Sequence, residues 1–236
     1  MSASRLWAVV AAAGKSERMG EAVAKQYQRL AGRCVLDWSV QALLSVKGIA
    51  GIMIAHPPGD VQWQTALRDR SPLVNGCAGG ATRAQSVRSA LAALQAQGAE
   101  SQDWVLVHDA ARPAVRRADI EQLMASVGNH PDGGLLAVPV RDTLKRSDAN
   151  ACVEATVSRA HLWQALTPQY FPLGRLAQAL AQSNAEQLTD EASAMEQIGA
   201  RPRLVTGRAD NTKLTTSADI AWLAFTLGNQ AAAEDG

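Results

Sequence analysis

Lys15, Arg18 and Lys25 place three cations close to Gly14 and Gly20, directly after the small apolar run Val9 to Ala13. Cationic side chains and the N–H groups of a glycine-bent backbone can together surround several anionic oxygens, as a polyphosphate requires. A nucleotide is therefore the ligand this segment suits. Two familiar glycine motifs do not fit it. A phosphate loop of the form GxxxxGK[ST] needs glycine at position 9, where the chain has Val9, so ATPase chemistry is disfavoured. A dinucleotide fingerprint needs glycine where Ser16 stands and an acidic residue ending a second strand, whereas Asp37 opens a helix. The plainer alternative is a solvated basic turn.

Two further loops carry residues able to do chemistry. Gly79 and Gly80 precede an amphipathic segment, and paired glycines at a helix start expose N–H groups and the favourable dipole end to a phosphate or a base edge. Ser86 adds a hydroxyl that can hydrogen-bond a base. With Thr82 as a cap, the same loop reads equally well as a helix start alone. The segment ending in Asp109 is more pointed. This carboxylate follows an apolar strand, where a ribose hydroxyl or a metal-bound phosphate lies in a doubly wound fold, and Arg112 offers a fork to a second phosphate. A turn former is the plain alternative for Asp109.

These residues need a scaffold, and apolar runs alternate with amphipathic stretches in a way that supplies one. Short apolar strands are expected at about 6–12, 51–56, 104–108, 133–140 and 203–206, as in a parallel sheet covered on both faces. Helices are expected at about 35–46, 83–97, 117–127, 173–182, 190–198 and 217–227. In the second of these, Ala84, Val87, Ala90, Leu91 and Leu94 share one stripe, with Thr82 as N-cap and Gly98 just past the end. The order predicts an α/β fold with a doubly wound, mainly parallel sheet and ligands at the carboxyl ends of its strands. Residues 141–159 break the rhythm. Two alternating extended stretches around a Ser-Asp-Ala-Asn turn read as a projecting β-hairpin arm, too poor in apolar surface to stand alone. Asn229 to Gly236 are expected to fray.

Bulk properties narrow the class. A chain of 236 residues with net charge +1 suits one domain, here spanning 1–236, and lacks the clustered basic excess of a nucleic-acid surface. Cys34, Cys77 and Cys152 are odd in number, widely spaced and without a CxxC pair, so a reducing cytoplasm is expected rather than a disulfide framework. His56, His108, His130 and His161 show no ligand spacing. No apolar run is long enough to cross a membrane and no signal peptide opens the chain, so neither a membrane nor a nucleic-acid partner is expected.

Taken in order, VVAAAGKSERMG, AKQY, GGATRAQSV, WVLVHDAARP, VRDTLKR, LTPQ, TDEAS and GRADNTKLT make the chain resemble the 2-C-methyl-D-erythritol 4-phosphate cytidylyltransferases over nearly its whole length. The resemblance implies transfer of CMP from CTP to methylerythritol phosphate in non-mevalonate isoprenoid synthesis, with ribitol 5-phosphate cytidylyltransferases as the nearest alternative and a non-catalytic nucleotide-binding regulator as a more distant one. It implies that Ala12, Ala13, Gly14 and Lys15 wrap CTP, that Gly79, Gly80 and Ser86 recognise cytosine, and that Asp109 with Ala110 holds the ribose and the metal-bound phosphate region. Arg18, Lys25, Lys213 and Arg159 would be catalytic cations. Arg112, Thr143, Arg159, Thr167 and Lys213 would place the methylerythritol phosphate. Mg²⁺ is the implied cofactor, held mainly by CTP and by Asp109, directly or through water. A homodimer with exchanged arms is also implied, so that Thr143 and Arg159 serve the other subunit. The chain departs from many relatives at Ala11, Ala24 and Ala81. The chemistry needs no Ser, Cys or His base, because a phosphate monoester is already an anionic nucleophile; positioning and charge cancellation are what it requires.

Overall fold

In the computed structural model, which describes residues 4–14, 23–185 and 187–234, the first strand is buried on both faces. Leu6, Ala8 and Val10 enter one core cluster, while Trp7 and Val9 enter another. This is the two-sided burial that its small apolar run demands, since alternate side chains leave a strand on opposite faces. The strands are β1 (Leu6–Ala11), β2 (Arg29–Leu30), β3 (Arg33–Cys34), β4 (Ile49–His56), β5 (Val74–Ala78), β6 (Trp104–Asp109), β7 (Gly134–Pro139), β8 (Leu144–Ser147), β9 (Val153–Val157), β10 (Trp163–Pro172) and β11 (Arg203–Thr206). The helices are α1 (Val35–Leu44), α2 (Gln62–Ala66), α3 (Arg83–Ala96), α4 (Arg117–Val127), α5 (Leu173–Gln182), α6 (Glu191–Gln197) and α7 (Ala218–Glu234), with a 3₁₀ turn at Lys25–Tyr27.

Seven strands form one sheet in the order β11-β7-β10-β6-β1-β4-β5. β1 runs parallel to β4 and β6, and β4 to β5, whereas β10 is antiparallel to both of its neighbours, β6 and β7. The expected mainly parallel sheet is thus present, with one reversed strand in its interior. Leu36, Val40 and Leu43 of α1 and Ile120, Leu123 and Val127 of α4 cover one face. Val87, Leu91 and Leu94 of α3, Leu173, Leu176 and Leu180 of α5, and Met195 of α6 cover the other. Chain order turns back at β1, between β4 and β6, so the crevice for a ligand opens at the carboxyl ends of these strands.

β8 and β9 pair antiparallel with each other in a separate two-stranded sheet, as the alternation over 141–159 predicts. The C-terminal expectation needs correction. Residues 229–234 continue α7 instead of fraying, because Leu223 and Leu227 are buried against Leu30, Trp38 and Leu214, and the Gln230 side-chain amide donates to Ala114 O at 3.0 Å. Among the described residues no helix is long and apolar enough to cross a membrane.

Candidate active site

The ends of β1 and β6 lie side by side, with Ala11 in register with Asp109. Ala110 N–H donates to Ala11 O at 3.1 Å, and Ala12 N–H donates to Ala55 O at 2.9 Å, so the start of the first loop is tied to both flanking strands. Gly79 N–H reaches His56 O, at the end of β4, at 2.7 Å. A Cβ on Gly79 would stand 2.5 Å from Ala13 Cβ and 2.8 Å from Ser86 Oγ, and one on Gly80 would stand 2.4 Å from Gln85 Cβ. Only glycine permits so close an approach, and it joins the first two loops. Within the second, the Ser86 hydroxyl donates to Thr82 O at 2.9 Å and accepts Gly80 N–H at 3.1 Å. Ser86 is buried and shapes the loop from behind. Lys15 and Arg18 lie outside the described residues; Lys25 is half-buried in the 3₁₀ turn and engaged there, and Gly14 is exposed at the open end.

Asp109 is the electrostatic centre. Its Oδ1 accepts Arg83 Nε at 2.8 Å, its Oδ2 meets Lys213 Nζ at 2.7 Å, and Arg112 Nε stands 4.0 Å from Oδ2. Burial works to raise the Asp109 pKa, but the Arg83 and Lys213 charges outweigh it and hold the carboxyl far below the usual range. Arg83 also grips Glu191, Nη1 to Oε1 at 2.6 Å and Nη2 to Oε2 at 3.0 Å. Burial opposes the charge on Arg83, and the two carboxylates more than restore it. Burial pushes the Glu191 carboxyl up, with Arg83 pulling it back toward the ionised form. Lys213 is positioned from behind: Leu214 N–H donates to Ala111 O at 2.8 Å, and the buried Asn211 donates from Nδ2 to Thr167 O at 2.8 Å while its backbone carbonyl accepts from Arg112 Nη1 at 2.8 Å.

His108 and Thr167 form the floor. Asp109 N–H donates to Thr167 Oγ1 at 3.1 Å, and Thr167 Oγ1 lies 2.9 Å from His108 Nδ1, while His108 Nε2 lies 3.1 Å from Arg112 O. Since a carbonyl only accepts, Nε2 carries the proton, Nδ1 accepts, and the Thr167 hydroxyl donates to it. Complete burial lowers the His108 pKa to about 4, so the ring is neutral. The hydroxyl of Thr167 is thereby committed to holding Asp109 and His108.

The structure therefore gathers Ala12, Ala13, Gly79, Gly80, Ser86, Asp109, Ala110, Arg112, Thr167 and Lys213 around one crevice. It does not gather the arm residues. Thr143 and Arg159 are exposed; Arg159 Nη1 donates to Arg141 O, and among the described residues neither has a hydrogen bond or ion pair to the Asp109 cluster. Sequence reasoning missed Arg83, Glu191, Asn211 and His108 as positioning groups. Each lies inside a quoted motif, yet Arg83 and Glu191 meet across 108 positions, a separation that no local pattern reveals. As for a metal, no group of three or more His, Cys, Asp or Glu side chains stands together among the described residues. Asp109 supplies one carboxylate beside the two glycine loops, and a single carboxylate is the protein donor set that fits a Mg²⁺ carried on phosphates.

A mostly parallel sheet flanked by helices, with glycine loops converging on an ionised aspartate at its switch point, defines an α/β nucleotidyltransferase. The family model for 2-C-methyl-D-erythritol 4-phosphate cytidylyltransferase matches residues 6–229. The chain is 48% identical over 219 residues to the protein of that name from Pseudomonas putida strain GB-1, covering 92% of this chain and 93% of the relative. It is 48% identical over 238 residues to that from Acidithiobacillus ferrooxidans strain ATCC 53993, covering 98% and 99%. The crystal structure of the Francisella tularensis 2-C-methyl-D-erythritol 4-phosphate cytidylyltransferase superposes with a TM-score of 0.81 at 31% identity, covering 94% of this chain and all 100% of that one. The chain belongs to the 2-C-methyl-D-erythritol 4-phosphate cytidylyltransferase family.

Proposed function

We propose that the protein transfers CMP from CTP to 2-C-methyl-D-erythritol 4-phosphate, forming 4-diphosphocytidyl-2-C-methyl-D-erythritol and pyrophosphate in the non-mevalonate route to isoprenoids. The observation that carries this assignment is Asp109, held ionised between Arg83 and Lys213 where the Ala13 and Gly79 loops meet. A phosphate oxygen of the polyol attacks the α-phosphorus of CTP, and the bond from that phosphorus to the oxygen bridging to the β-phosphate breaks. Pyrophosphate leaves with the electron pair. No protein base is required. Ala12, Ala13, Gly14 and Lys15 wrap the triphosphate, and the Gly79–Gly80 turn, its N–H groups tied to His56 O and Ser86 Oγ, presents a rigid backbone surface to the small cytosine edge. Lys15, Arg18, Lys25 and Lys213 offset the charge that builds around the α-phosphorus and on the leaving group. Asp109 with Ala110 faces the ribose and is the carboxylate that would hold Mg²⁺; when bound, the metal neutralises phosphate charge.

The polyol phosphate is assigned to Arg112 and Lys213 of one subunit together with Thr143 and Arg159 from the arm of a second. The support is that the β8–β9 ribbon leaves these two side chains exposed on a segment with little apolar surface of its own. Thr167 acts beneath that phosphate by orienting Asp109. Cys34, Cys77 and Cys152 are all free thiols, which supports a cytoplasmic setting. The test is pyrophosphate release with CTP, ATP or GTP against a panel of polyol phosphates and Mg²⁺. Release is expected with CTP and methylerythritol phosphate; a protein that stays silent with CTP across the panel, or prefers a purine nucleotide, would contradict the assignment.

A further inference from the structure

Arg83 and Glu191 touch neither substrate in the assignment above, yet the Arg83 guanidinium spends all three of its nitrogens on two carboxylates. Both Nη groups go to Glu191 and Nε goes to Asp109. A planar fork can do this and an ammonium cannot. Glu191 is fully buried, and its backbone is fixed to the sheet: Ala192 N–H donates to Gln169 Oε1 at 2.8 Å, Gln169 Nε2 donates to Asp190 Oδ2 at 2.8 Å, and Asp190 Oδ1 accepts Ser193 N–H at 2.9 Å. Gln169 pairs in register with Val107, two residues before Asp109 on β6. Glu191 is thus anchored to the same pair of strands that carries the carboxylate at the other end of Arg83.

We propose that Glu191 is a positioning residue for the transfer reaction, fixing Arg83 and through it the plane of the Asp109 carboxylate. This rests on the cytidylyl-transfer assignment. The torsion at the end of an aspartate side chain is broad and soft, so two cations pulling on it decide its orientation. Lys213 lies on a flexible stem with its side chain 35% exposed and is free to follow an incoming phosphate. Arg83 would be drawn toward the same polyanion. The two hydrogen bonds that Arg83 donates to Glu191 keep it in place, so Oδ1 stays fixed and Oδ2 stays turned to the crevice when Lys213 moves. A carboxylate without that restraint would swing, and small misplacements in a site that works by positioning are costly.

A purely structural clamp between α3 and α6 would affect stability without acting through Asp109, and a double-mutant cycle separates the two roles. Glu191→Gln keeps the size but removes the charge; Arg83→Lys keeps a cation but removes the fork. Each is expected to lower kcat by about 10–100-fold, the range for groups that orient a functional ligand, while the KM for CTP changes by less than about threefold. In an Asp109→Asn background, Glu191→Gln should cost no more than about twofold further. Glu191→Asp should not rescue, being too short to reach the fork. A folded Glu191→Gln protein within about twofold of wild type, or a loss that multiplies in full with that of Asp109→Asn, would overturn the proposal. Failure of both Glu191→Gln and Arg83→Lys to fold would also overturn it, by making the pair a clamp alone. The chemical shift of a ¹³C-labelled Asp109 carboxylate, read without substrate and expected to move in Glu191→Gln, keeps the outcomes distinct, because a wild type without turnover would refute the transfer assignment while the coupling of Glu191 to Asp109 stayed measurable.

Discussion

At the end of β6, His108 and Asp109 are neighbours with opposite electrostatic fates. Asp109 is buried yet ionised, because Arg83 and Lys213 each hold one of its oxygens; His108 is buried and neutral, because its two ring nitrogens are matched to a hydroxyl and a carbonyl. The consequence for stability can be signed. A folded-state pKa of about 4 lies below the value of about 6.5 for an unfolded histidine, so the unfolded chain takes up the proton first as pH falls. Stability from this residue is complete above about pH 6.5 and is lost progressively down to about pH 4, amounting to about 3 kcal/mol. Asp109 acts in a separate window: its depressed pKa costs stability only as pH falls below about 4. Urea unfolding at pH 7, 5 and 4 should show a steeper loss for wild type than for His108→Asn. Equal slopes would mean that His108 is not held neutral.

The strongest apolar runs became the expected elements. β1, β4, β6 and β7 were legible because two-sided burial requires continuous small or branched residues; β11 lies at its expected place on the sheet edge with only Val205 buried, and α4 and α5 match their expected bounds in full. β5 and β10 were not. The segment Val74–Ala78 contains Asn75 and Gly76 at the sheet edge, only partly buried, where little apolar patterning is demanded. Strand β10 crosses the sheet interior with Thr167, Pro168 and Gln169, and its register with β7 shifts between Ala165 and Gln169. Proline is admitted at such an irregularity, and the buried polar groups are satisfied by His108, Asp109, Asp190 and Ala192, partners no local window contains. That is also why the glycine loops were legible while the groups that hold them were not. The start of α3 was readable: the Thr82 hydroxyl accepts Gln85 N–H at 3.1 Å, and Gln85 Oε1 accepts Ala81 N–H at 2.9 Å. Thr82→Ala should cost about 1 kcal/mol of stability. It should also raise the KM for CTP more than it lowers kcat, since the Gly79–Gly80 turn loses its frame. Steady-state kinetics with an unchanged KM would separate the cap from nucleotide binding.

At the largest scale, the sheet order brings the ends of β1, β4 and β6 together, while the β8–β9 ribbon pairs, among the described residues, only with itself and leaves Thr143 and Arg159 exposed. A two-fold exchange of arms would give each ribbon a surface to cover and bring Thr143 and Arg159, the residue types that bind phosphate, to the partner's crevice. The prediction is one of complementation. Arg159→Ala and Lys25→Ala chains, each nearly inactive alone, should regain activity when mixed, because some mixed dimers hold one crevice with both residues intact. Confirmed mixed dimers with no more activity than the two parents would place Arg159 in the service of its own subunit.

Cytidylyl transfer to a methylerythritol phosphate is most directly tested by competition. The protein, CTP and Mg²⁺ are supplied with equal concentrations of 2-C-methyl-D-erythritol 4-phosphate and ribitol 5-phosphate, and the two nucleotide-linked products are separated and quantified by mass at early times. Their ratio equals the ratio of kcat/KM values. A product pool dominated by 4-diphosphocytidyl-2-C-methyl-D-erythritol is the predicted result; a pool dominated by CDP-ribitol would contradict the assignment.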